Sequence, residues 1–441
     1  MTTRITAVLC FILAALSAAS ASAQQWAQWR GPALNGSTPA TSIPEKFSPT
    51  ENVAWVTPMP GQSGATPAVW GDRVFVSSVE GDTGHLLALC LDAATGKILW
   101  RKDAGQNRKA SGGNNMASPS PITDGKAVYF FYGTSVLLAM DLGGNPLWSR
   151  DLEKDNGRNA LMYGYSSSPL LYKGKLYVAA IRSADPSKYG GSGARGTVDS
   201  YLLAIDPATG KDIWKQVRQT DATGESQEAY TTPIPYEFGG RSEILLYGAD
   251  TLTGHDADTG KELWRWTGYN PTHITHWRVV PSPVVAGDLV VVVGPKYSTM
   301  FAIRADAKGT LDASHVAWKL DKTTPDASTP LLYQDRLYVI EDNKKIMTCL
   351  DPKTGKQKWQ FDLGGKNVIR GSALGADGRI YIMNEGGEVI VAQAGDEPKI
   401  LHRIQMGTRE YCWSSLVAAN GRLFIRTSDK LFCVALPATA R

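Results

Sequence analysis

The side chains best suited to chemistry are concentrated in one stretch, His273-Ile-Thr-His276-Trp277-Arg278. Two imidazoles three positions apart ligate a transition metal when carboxylates join them, and Glu225 and Glu228 lie in the preceding connection. The stretch has the composition of a loop, where such spacing fixes no geometry. We therefore expect these side chains to hydrogen-bond loop backbone, and we predict no metal site. Glu225, Glu228, His273 and His276 form the alternative ligand set.

A second group of recognition side chains recurs at one position of a repeat. Tyr230, Arg370 and Trp413 each stand two residues before a Ser or Thr that recurs in every repeat. Arg278 occupies a variant of this position in its own repeat. If the repeats form a ring, these side chains surround the entrance of its central channel. They then either bind a ligand or fill the channel as wall residues. The complete set of candidate binding residues is Tyr165, Tyr230, His273, His276, Trp277, Arg278, Asp326, Arg370 and Trp413.

No local motif marks a catalytic set. Asp82, Asp103, Asp185 and Asp326 offer carboxylates, but nothing pairs them at the defined separation that acid and base catalysis requires. A nucleophile elbow is missing, and the Gly-rich loop 189–193 lacks the strand-to-helix context of a phosphate cradle. The catalytic residues are therefore unknown, and the sequence favours a protein that is not an enzyme.

The secondary-structure elements that position these residues are indicated by a repeated motif, Asp-x-x-Thr-Gly-Lys-x-x-Trp. It occurs at 92–100, 206–214, 256–264 and 351–359. Asp and Thr bond turn amides, and Gly supplies a positive φ, so the motif predicts a hairpin. Its Trp fills the gap between two stacked sheets. The predicted structural residues, including Trp in diverged copies, are Trp55, Asp92, Gly96, Trp100, Trp148, Asp206, Gly210, Trp214, Asp256, Gly260, Trp264, Trp318, Asp351, Gly355 and Trp359.

A Ser or Thr, usually followed by Pro, precedes each hairpin and brings the count of units to eight. These residues are Thr66, Ser120, Ser168, Thr232, Ser282, Thr329, Ser372 and Ser415. Each unit contains four short strands, which is typical of a propeller blade. We predict an all-β, eight-bladed propeller of four-stranded antiparallel blades. The last unit stops after three strands at Ala435, and segment 52–58 is expected to supply the fourth and close the ring.

The first residues predict export. Residues 1–23 form a signal peptide with one basic residue, an apolar core and a cleavage site after Ala23. Residues 24–46 form an extended segment, and 47–441 a single propeller domain. Cys10 lies inside the apolar core of the signal, so we expect neither a lipid anchor nor a membrane span. The expected product is a periplasmic or secreted monomer.

Composition and cysteine usage exclude some partners. The chain has 46 Lys and Arg against 42 Asp and Glu and no basic block, so we expect no nucleic acid partner. Cys90, Cys349 and Cys433 occupy a repeat position that elsewhere holds Ala or Gly. We interpret them as small buried residues, and we do not require any disulfide.

The Asp-x-x-Thr-Gly-Lys-x-x-Trp units resemble the tryptophan-docking repeats of the pyrroloquinoline quinone dehydrogenases and their non-enzymatic relatives. Among those relatives is the propeller lipoprotein of the outer-membrane barrel assembly machinery. The resemblance covers about residues 50–436. Residues 26–32, Trp-Ala-Gln-Trp-Arg-Gly-Pro, are similar to the start of secreted bacterial quinone-like repeat proteins, and this similarity implies a propeller without an established reaction.

The resemblance to the dehydrogenases does not extend to their cofactor motifs. Those enzymes typically carry adjacent cysteines over the quinone and a Glu, Asn and Asp set for calcium. No two cysteines are neighbours here, and no local motif matches the calcium set. The resemblance therefore implies the fold more strongly than the reaction.

We predict a non-catalytic binding scaffold without a cofactor. The long segments 104–116, 153–165, 182–199, 219–230 and 267–279 are expected on the face opposite the Thr-Gly turns, where they meet a protein or polysaccharide partner. The alternative is a dehydrogenase that oxidises an alcohol or sugar with pyrroloquinoline quinone and calcium. In that case the quinone lies between a Trp such as Trp277 or Trp413 and cationic Arg278 or Arg370.

Overall fold

Eight β-sheets follow one another along the chain in the computed structural model, which describes residues 25–191, 194–407 and 411–437. Each sheet is one blade, and its four blade strands pair antiparallel; in blades 1 to 7 these four strands follow chain order. Blade 1 contains Ala68–Trp70, Arg73–Val79, His85–Asp92 and Ile98–Gln106, and blade 2 contains Ile122–Thr123, Ala127–Phe131, Val136–Asp141 and Pro146–Asp151. Blade 3 contains Leu170–Tyr172, Lys175–Ala180, Tyr201–Ile205 and Asp212–Val217. Blade 4 contains Ile234–Phe238, Arg241–Gly248, Thr251–Asp256 and Glu262–Trp266. The short helix Leu152–Asn156 follows blade 2.

The remaining blades complete the ring that the sequence predicts. Blade 5 contains Val284–Ala286, Leu289–Val293, Met300–Arg304 and Val316–Leu320. Blade 6 contains Leu331–Tyr333, Arg336–Glu341, Ile346–Leu350 and Gln357–Asp362. Blade 7 contains Leu374–Ala376, Arg379–Met383, Glu388–Gln393 and Ile400–Gln405. Blade 8 contains Val417–Ala419, Arg422–Arg426 and Lys430–Ala435, and its fourth strand is Val53–Pro58. This outer strand pairs antiparallel with Lys430–Ala435, with Trp55 opposite Cys433. The eight-bladed fold and its closure by the N-terminal strand are confirmed.

The repeated Trp and Gly are explained by how neighbouring blades meet. Gly96 has a φ of 72°, and a Cβ added there would lie 2.5 Å from the ring of Trp55 in the preceding blade. Gly210 stands in the same relation to Trp148, at 2.7 Å. The indole of Trp55 also donates a hydrogen bond of 3.0 Å to the carbonyl of Ala93 in that turn. Glycine is therefore needed for its conformation and for the space that the indole occupies.

The small residues of the repeat lie directly across from the tryptophans. Cys90 pairs with Trp100, and Cys349 pairs with Trp359 in the same register. A larger side chain there would push the indole away from the next blade. Cys90, Cys349 and Cys433 are buried, in agreement with their interpretation as small core residues, and Cys412 is buried as well. Burial raises the pKa of the Cys90 thiol to about 12, so it is chemically inert at neutral pH.

One junction departs from the four-stranded pattern. The long turn of blade 5 forms an extra strand, Gly309–Leu311, which pairs parallel with the outer strand of blade 4, Glu262–Trp266. Trp264 donates its indole hydrogen bond to the buried carboxylate of Glu243, at 2.6 Å, rather than to a turn carbonyl of the next blade. Blade 5 lacks the Thr-Gly turn that would offer this carbonyl. The sequence predicts the longer turn but not the fifth strand.

Blade 4 contains a buried histidine that predicts acid sensitivity. Nδ1 of His255 lies 3.0 Å from the carbonyl of Gly260, which only accepts, so this nitrogen carries the proton. Nε2 therefore accepts a hydrogen bond from the hydroxyl of Thr253, at 3.0 Å. The same hydroxyl oxygen accepts from Nε of the buried Arg218. Burial is the main cause that lowers the pKa of His255, to about 4, and the charge of Arg218 contributes.

We therefore expect the protein to lose stability as the pH falls through the interval between the unfolded and folded pKa of His255. An unfolded histidine titrates near pH 6.5, so protonation favours the unfolded state below that pH by up to about 3 kcal/mol. His255→Gln should weaken this dependence between about pH 7 and pH 4. Urea unfolding across that range measures it, and an equal loss in both proteins would show that other groups control acid stability.

Candidate functional site

A cavity of about 590 Å³ lies on the propeller axis, and residues of all eight blades line it. Gly112, Asn114 and Tyr163 come from the long connections between blades, whereas Tyr297 and Glu385 come from loops between second and third strands. Both kinds of segment were predicted to share one face. The cavity therefore opens among the long loops of the chain. We call it the axial cavity.

The Ser and Thr markers form a hydrogen-bonded belt around the axial cavity. The backbone N–H of Thr66 donates to the hydroxyl of Ser120, at 3.0 Å, and the N–H of Ser120 donates to the hydroxyl of Ser168, at 2.9 Å. The same link joins each marker to the next as far as Ser415. The belt holds the innermost strands of the blades together. It also lines the cavity with hydroxyl groups.

Five of the predicted binding residues line the axial cavity: Tyr230, Arg278, Asp326, Arg370 and Trp413. Tyr230, Arg370 and Trp413 share the repeat position that the sequence places at the channel entrance, and Arg278 is a variant of it. Asp326 was selected without such a position. Further lining side chains that the sequence analysis did not select are Trp29, Asn114, Tyr163, Tyr297, Glu385 and Tyr411. The structure thus places the predicted group in one site and adds aromatic rings to it.

Arg278 is fixed between acidic and aromatic partners. Its Nη2 lies 3.1 Å from Oδ2 of Asp326, and its Nε lies 3.5 Å from Oε1 of Glu225. The guanidinium also stands 5.2 Å from the ring centre of Tyr163. Burial alone would lower the pKa of Arg278, but the Asp326 and Glu225 carboxylates outweigh it and raise that pKa. Arg278 therefore keeps its charge and a defined orientation.

A second fixed pair lies two blades further around the axial cavity. Nε of Arg370 lies 3.0 Å from Oε1 of Glu385, and the same oxygen accepts the indole N–H of Trp413 at 2.8 Å. Tyr411 contacts Trp413 edge to face, with ring centres 5.1 Å apart. Glu385 thus orients a cation and an aromatic face at once. The wall presents them together.

A buried carboxylate stands behind the wall. Oε2 of Glu228 accepts from the N–H of Met162 at 2.9 Å and from the hydroxyl of Tyr230 at 3.2 Å, and Oε1 accepts from the hydroxyl of Tyr189 at 2.6 Å. Tyr230 in turn accepts from the N–H of Tyr163 at 3.1 Å. Burial raises the pKa of Glu228. This network holds Tyr163 and Tyr230 against the cavity.

The N-terminal segment closes the opposite end of the channel. Trp26 bridges to Val69 of blade 1, and the carbonyl of Ala27 accepts from Thr123 of blade 2 at 2.9 Å. Eleven residues later, the N–H of Thr38 donates to the carbonyl of Gly375 in blade 7 at 3.0 Å. A segment that contacts the inner strands of blades 1, 2 and 7 crosses the axis. Trp29 lies at that crossing and forms the floor of the axial cavity.

Arg30 anchors this floor. It is almost completely buried and donates to the carbonyls of Asn35, at 2.6 Å, Pro330, at 2.5 Å, and Ala373, at 3.2 Å. A Cβ at Gly36 would lie 2.5 Å from the guanidinium, so the turn at Gly36 closes over it. One side chain thus ties the segment to blades 6 and 7.

Four of the predicted binding residues lie outside the axial cavity. Tyr165 is buried in the core and donates to the carbonyl of Ala179 at 2.5 Å. His273 and His276 are exposed, and Trp277 packs against the core of blades 3 to 5. His273, His276 and Trp277 stand five to nine residues before the marker Ser282, so the repeat does not place them at the axis.

The alternative metal ligands have separate partners. His273 Nδ1 faces Asp250 at 3.6 Å, Glu225 contacts Arg278 and Lys296, and Glu228 is held by the tyrosines. Among the described residues, no three His, Cys, Asp or Glu side chains come together in a way that could hold a metal ion. Both cationic side chains in the cavity, Arg278 and Arg370, are already paired with carboxylates. This donor set does not fit a quinone carboxylate and its calcium ion well.

The residues that sequence reasoning missed fall into two kinds. Trp29 belongs to the segment 26–32, whose unusual pair of tryptophans is a signal in the sequence. Tyr297 and Glu385 occupy loops within blades, where the repeat leaves no fixed spacing. Only folding brings these loops to the axis.

The fold and the axial cavity define a class, the quinoprotein-like β-propellers. A family model described as outer membrane protein assembly factor BamB matches residues 47–184 and 198–367, and the chain belongs to that family. BamB from Moraxella catarrhalis has a similar structure, with a TM-score of 0.58 and 14% identity over 87% of this chain and 99% of that one. This likeness shows the fold.

Curated relatives at the sequence level are enzymes. A quinohemoprotein alcohol dehydrogenase of Comamonas testosteroni is 28% identical over 275 residues, which are 55% of this chain and 32% of that enzyme. A polyvinylalcohol dehydrogenase of Sphingopyxis sp. is 27% identical over 433 residues, which are 90% of this chain and 60% of that enzyme. The chain therefore spans between a third and three fifths of these relatives.

The predicted signal peptide lies outside the described residues. Within the part of the chain that the structure describes, no helix is both long and apolar enough to cross a bilayer.

Proposed function

We propose that this protein is an exported, non-catalytic scaffold that binds a polysaccharide, with part of the glycan in the axial cavity. The observation that carries the proposal is the wall of the cavity, in which aromatic faces alternate with ion pairs of fixed orientation. The volume is that of a small-molecule site. A protein partner on the same loop face is the competing form of the proposal.

The aromatic side chains suit the faces of sugar rings. A pyranose presents C–H groups on its faces, and these pack against flat aromatic surfaces. Tyr230 and Trp413 are each held by a hydrogen bond from the polar atom of the side chain. Tyr163 is held by its backbone N–H bond to the Tyr230 hydroxyl and by the guanidinium of Arg278 over its ring, and Trp29 lies at the floor. Rings that are oriented before the ligand arrives lose little conformational entropy on binding.

The polar side chains suit sugar hydroxyls. A hydroxyl both donates and accepts, so it is recognised by a carboxylate beside a guanidinium, and the cavity has two such pairs. The two arginines and the two carboxylates of these pairs balance in charge. This balance favours binding of a part of the glycan that has no net charge. The hydroxyl belt adds donors, because each hydroxyl from Ser120 to Ser415 accepts a backbone N–H and retains its own hydrogen.

The second candidate is the quinone-dependent dehydrogenase. It is favoured by the enzymatic relatives and by the position of Trp29 and Trp413 on the axis. The pairing of both arginines with carboxylates counts against it, since a quinone tricarboxylate binds best to uncompensated cations. The two candidate functions therefore predict ligands of different charge in the axial cavity, an uncharged part of a glycan for the scaffold and an anionic quinone for the dehydrogenase.

We expect Trp413→Ala to weaken binding of a neutral oligosaccharide by about thirtyfold, or about 2 kcal/mol, as for a central aromatic contact. Titration of a panel of neutral oligosaccharides, followed by calorimetry, measures the change. His276→Ala is the matched control, because His276 is exposed on a neighbouring loop and does not line the cavity. Saturable binding of pyrroloquinoline quinone with calcium, without oligosaccharide binding, would instead favour the dehydrogenase.

A further inference from the structure

A second opening of about 320 Å³ lies beside the axial cavity. We call it the basic cleft and define it by Arg108, Lys109, Ser111, Arg158, Met162 and Tyr189, which line it. Two chain segments build both openings. Ser111 and Met162 line the cleft, whereas their neighbours Gly112 and Tyr163 line the cavity. A ligand that leaves the cavity over these segments enters the cleft.

The cleft carries an excess of positive charge. Arg108, Lys109 and Arg158 line it, and none of the described residues that line it is Asp or Glu. Glu153, next to the cleft, pairs with Arg108 at 2.6 Å. A second carboxylate, Glu228, is buried behind the cleft and accepts from Met162 and Tyr189. Three cations beside two carboxylates leave an excess of one positive charge, whereas in the axial cavity Arg278 and Arg370 meet Asp326 and Glu385.

Arg158 is positioned by neutral groups. Its Nη1 donates to the carbonyls of Pro186, at 3.1 Å, and Lys188, at 2.6 Å, and its Nη2 donates to that of Tyr189, at 3.0 Å. These bonds orient the guanidinium without neutralising it. Partial burial and the nearby charge of Arg108 lower the pKa of Arg158, and Glu153 opposes this effect. An anion in the cleft would accept hydrogen bonds from these cationic side chains and favour their charged forms.

We propose that the basic cleft binds the anionic substituent of an acidic glycan, a sulfate ester or a carboxylate, while an uncharged part of the same glycan occupies the axial cavity. The inference rests on the proposed function and deepens it, since it names the class of polysaccharide. Two adjoining openings, one balanced in charge and one basic, match a chain that carries acidic groups on some of its sugars. No covalent step is involved.

The test compares three ligands with one backbone: short dextran, dextran sulfate and carboxymethyl dextran. Calorimetric titration should show that one or both acidic forms bind more tightly than dextran, and which of the two acidic groups is preferred. The double variant Arg108→Ser with Lys109→Ser should lose about tenfold or more in affinity for the preferred acidic form and little for dextran. Both side chains are exposed, so the fold should be preserved.

The matched control removes two lysines from the opposite face, Lys97→Ser with Lys211→Ser, which are exposed in the Thr-Gly turns. Equal losses in the two double variants would mean nonspecific attraction and would overturn the inference, as would acidic dextrans that bind no better than dextran. Trp413→Ala separates the two proposals. If it leaves binding of the acidic form intact while the Arg108 and Lys109 variant loses it, the cleft binds anions and the cavity proposal fails.

Discussion

Replacement of Trp55 by alanine should lower the free energy of unfolding by about 3 to 5 kcal/mol, the range for loss of a buried Trp. Trp55 is only 8% exposed, pairs opposite Cys433 and donates to Ala93 in blade 1. It therefore joins blade 8 to blade 1, where the two ends of the propeller meet. Loss of the side chain leaves a cavity and removes a contact that closes the ring.

Urea unfolding followed by circular dichroism measures this effect without depending on the indole that is removed. Val56→Ala is the matched control, because Val56 is the next residue of the same strand and is 40% exposed. It should change stability by no more than about 0.5 kcal/mol. Similar losses in the two variants would show that the strand, rather than the docked indole, determines closure.

Replacement of Arg30 by methionine should cost about 4 kcal/mol and should also loosen the cavity floor. The substitution preserves much of the length of the side chain but leaves the buried carbonyls of Pro330 and Ala373 without this donor. The carbonyl of Asn35 also loses Arg30 but keeps the N–H of Leu332, at 3.4 Å. Each buried acceptor left unpaired costs roughly 1 to 3 kcal/mol. Because Trp29 precedes Arg30 and lines the cavity, ligand affinity should fall as well.

Stability is measured by urea unfolding, and the floor by hydrogen exchange of the amides in residues 26–38. Arg101→Met is the control, since Arg101 is exposed on the outer strand of blade 1 and its removal should have little effect. If Arg30→Met unfolds like the control and its floor amides exchange at the wild-type rate, then the N-terminal segment is held by its backbone pairing alone.

The connection between floor and wall has a functional consequence. The wall residues come from the loop face, but the floor comes from a segment of the chain outside all eight repeats. A propeller without this segment would have an open channel. The segment converts the channel into a cavity with one entrance, which suits the capture of one end or one branch of a polymer.

Much of this architecture is determined by the sequence alone. The motif around Gly96 and Trp100 fixes hairpins because only Gly tolerates both the positive φ and the indole beneath it. The truncated last unit and the isolated Trp55 fix the closure of the ring. The Ser and Thr markers indicate the innermost part of each blade, and Tyr230, Arg370 and Trp413, which stand two residues before a marker, all line the axial cavity. These signals belong to a repeat, so they can be recognised in the sequence by comparing one unit with the next, without knowledge of the tertiary structure.

Only the tertiary structure decided the chemistry of the site. The partners of Arg278 and Arg370, Asp326 and Glu385, come from other blades or other loops, and their pairing decides that the cavity is balanced in charge. The basic cleft arises where 108–116 meets 158–164, two segments without a shared motif. Charge balance depends on distances between residues remote in sequence. A repeat specifies positions within a blade, but the irregular loops that fill the space above it meet only when the ring has closed.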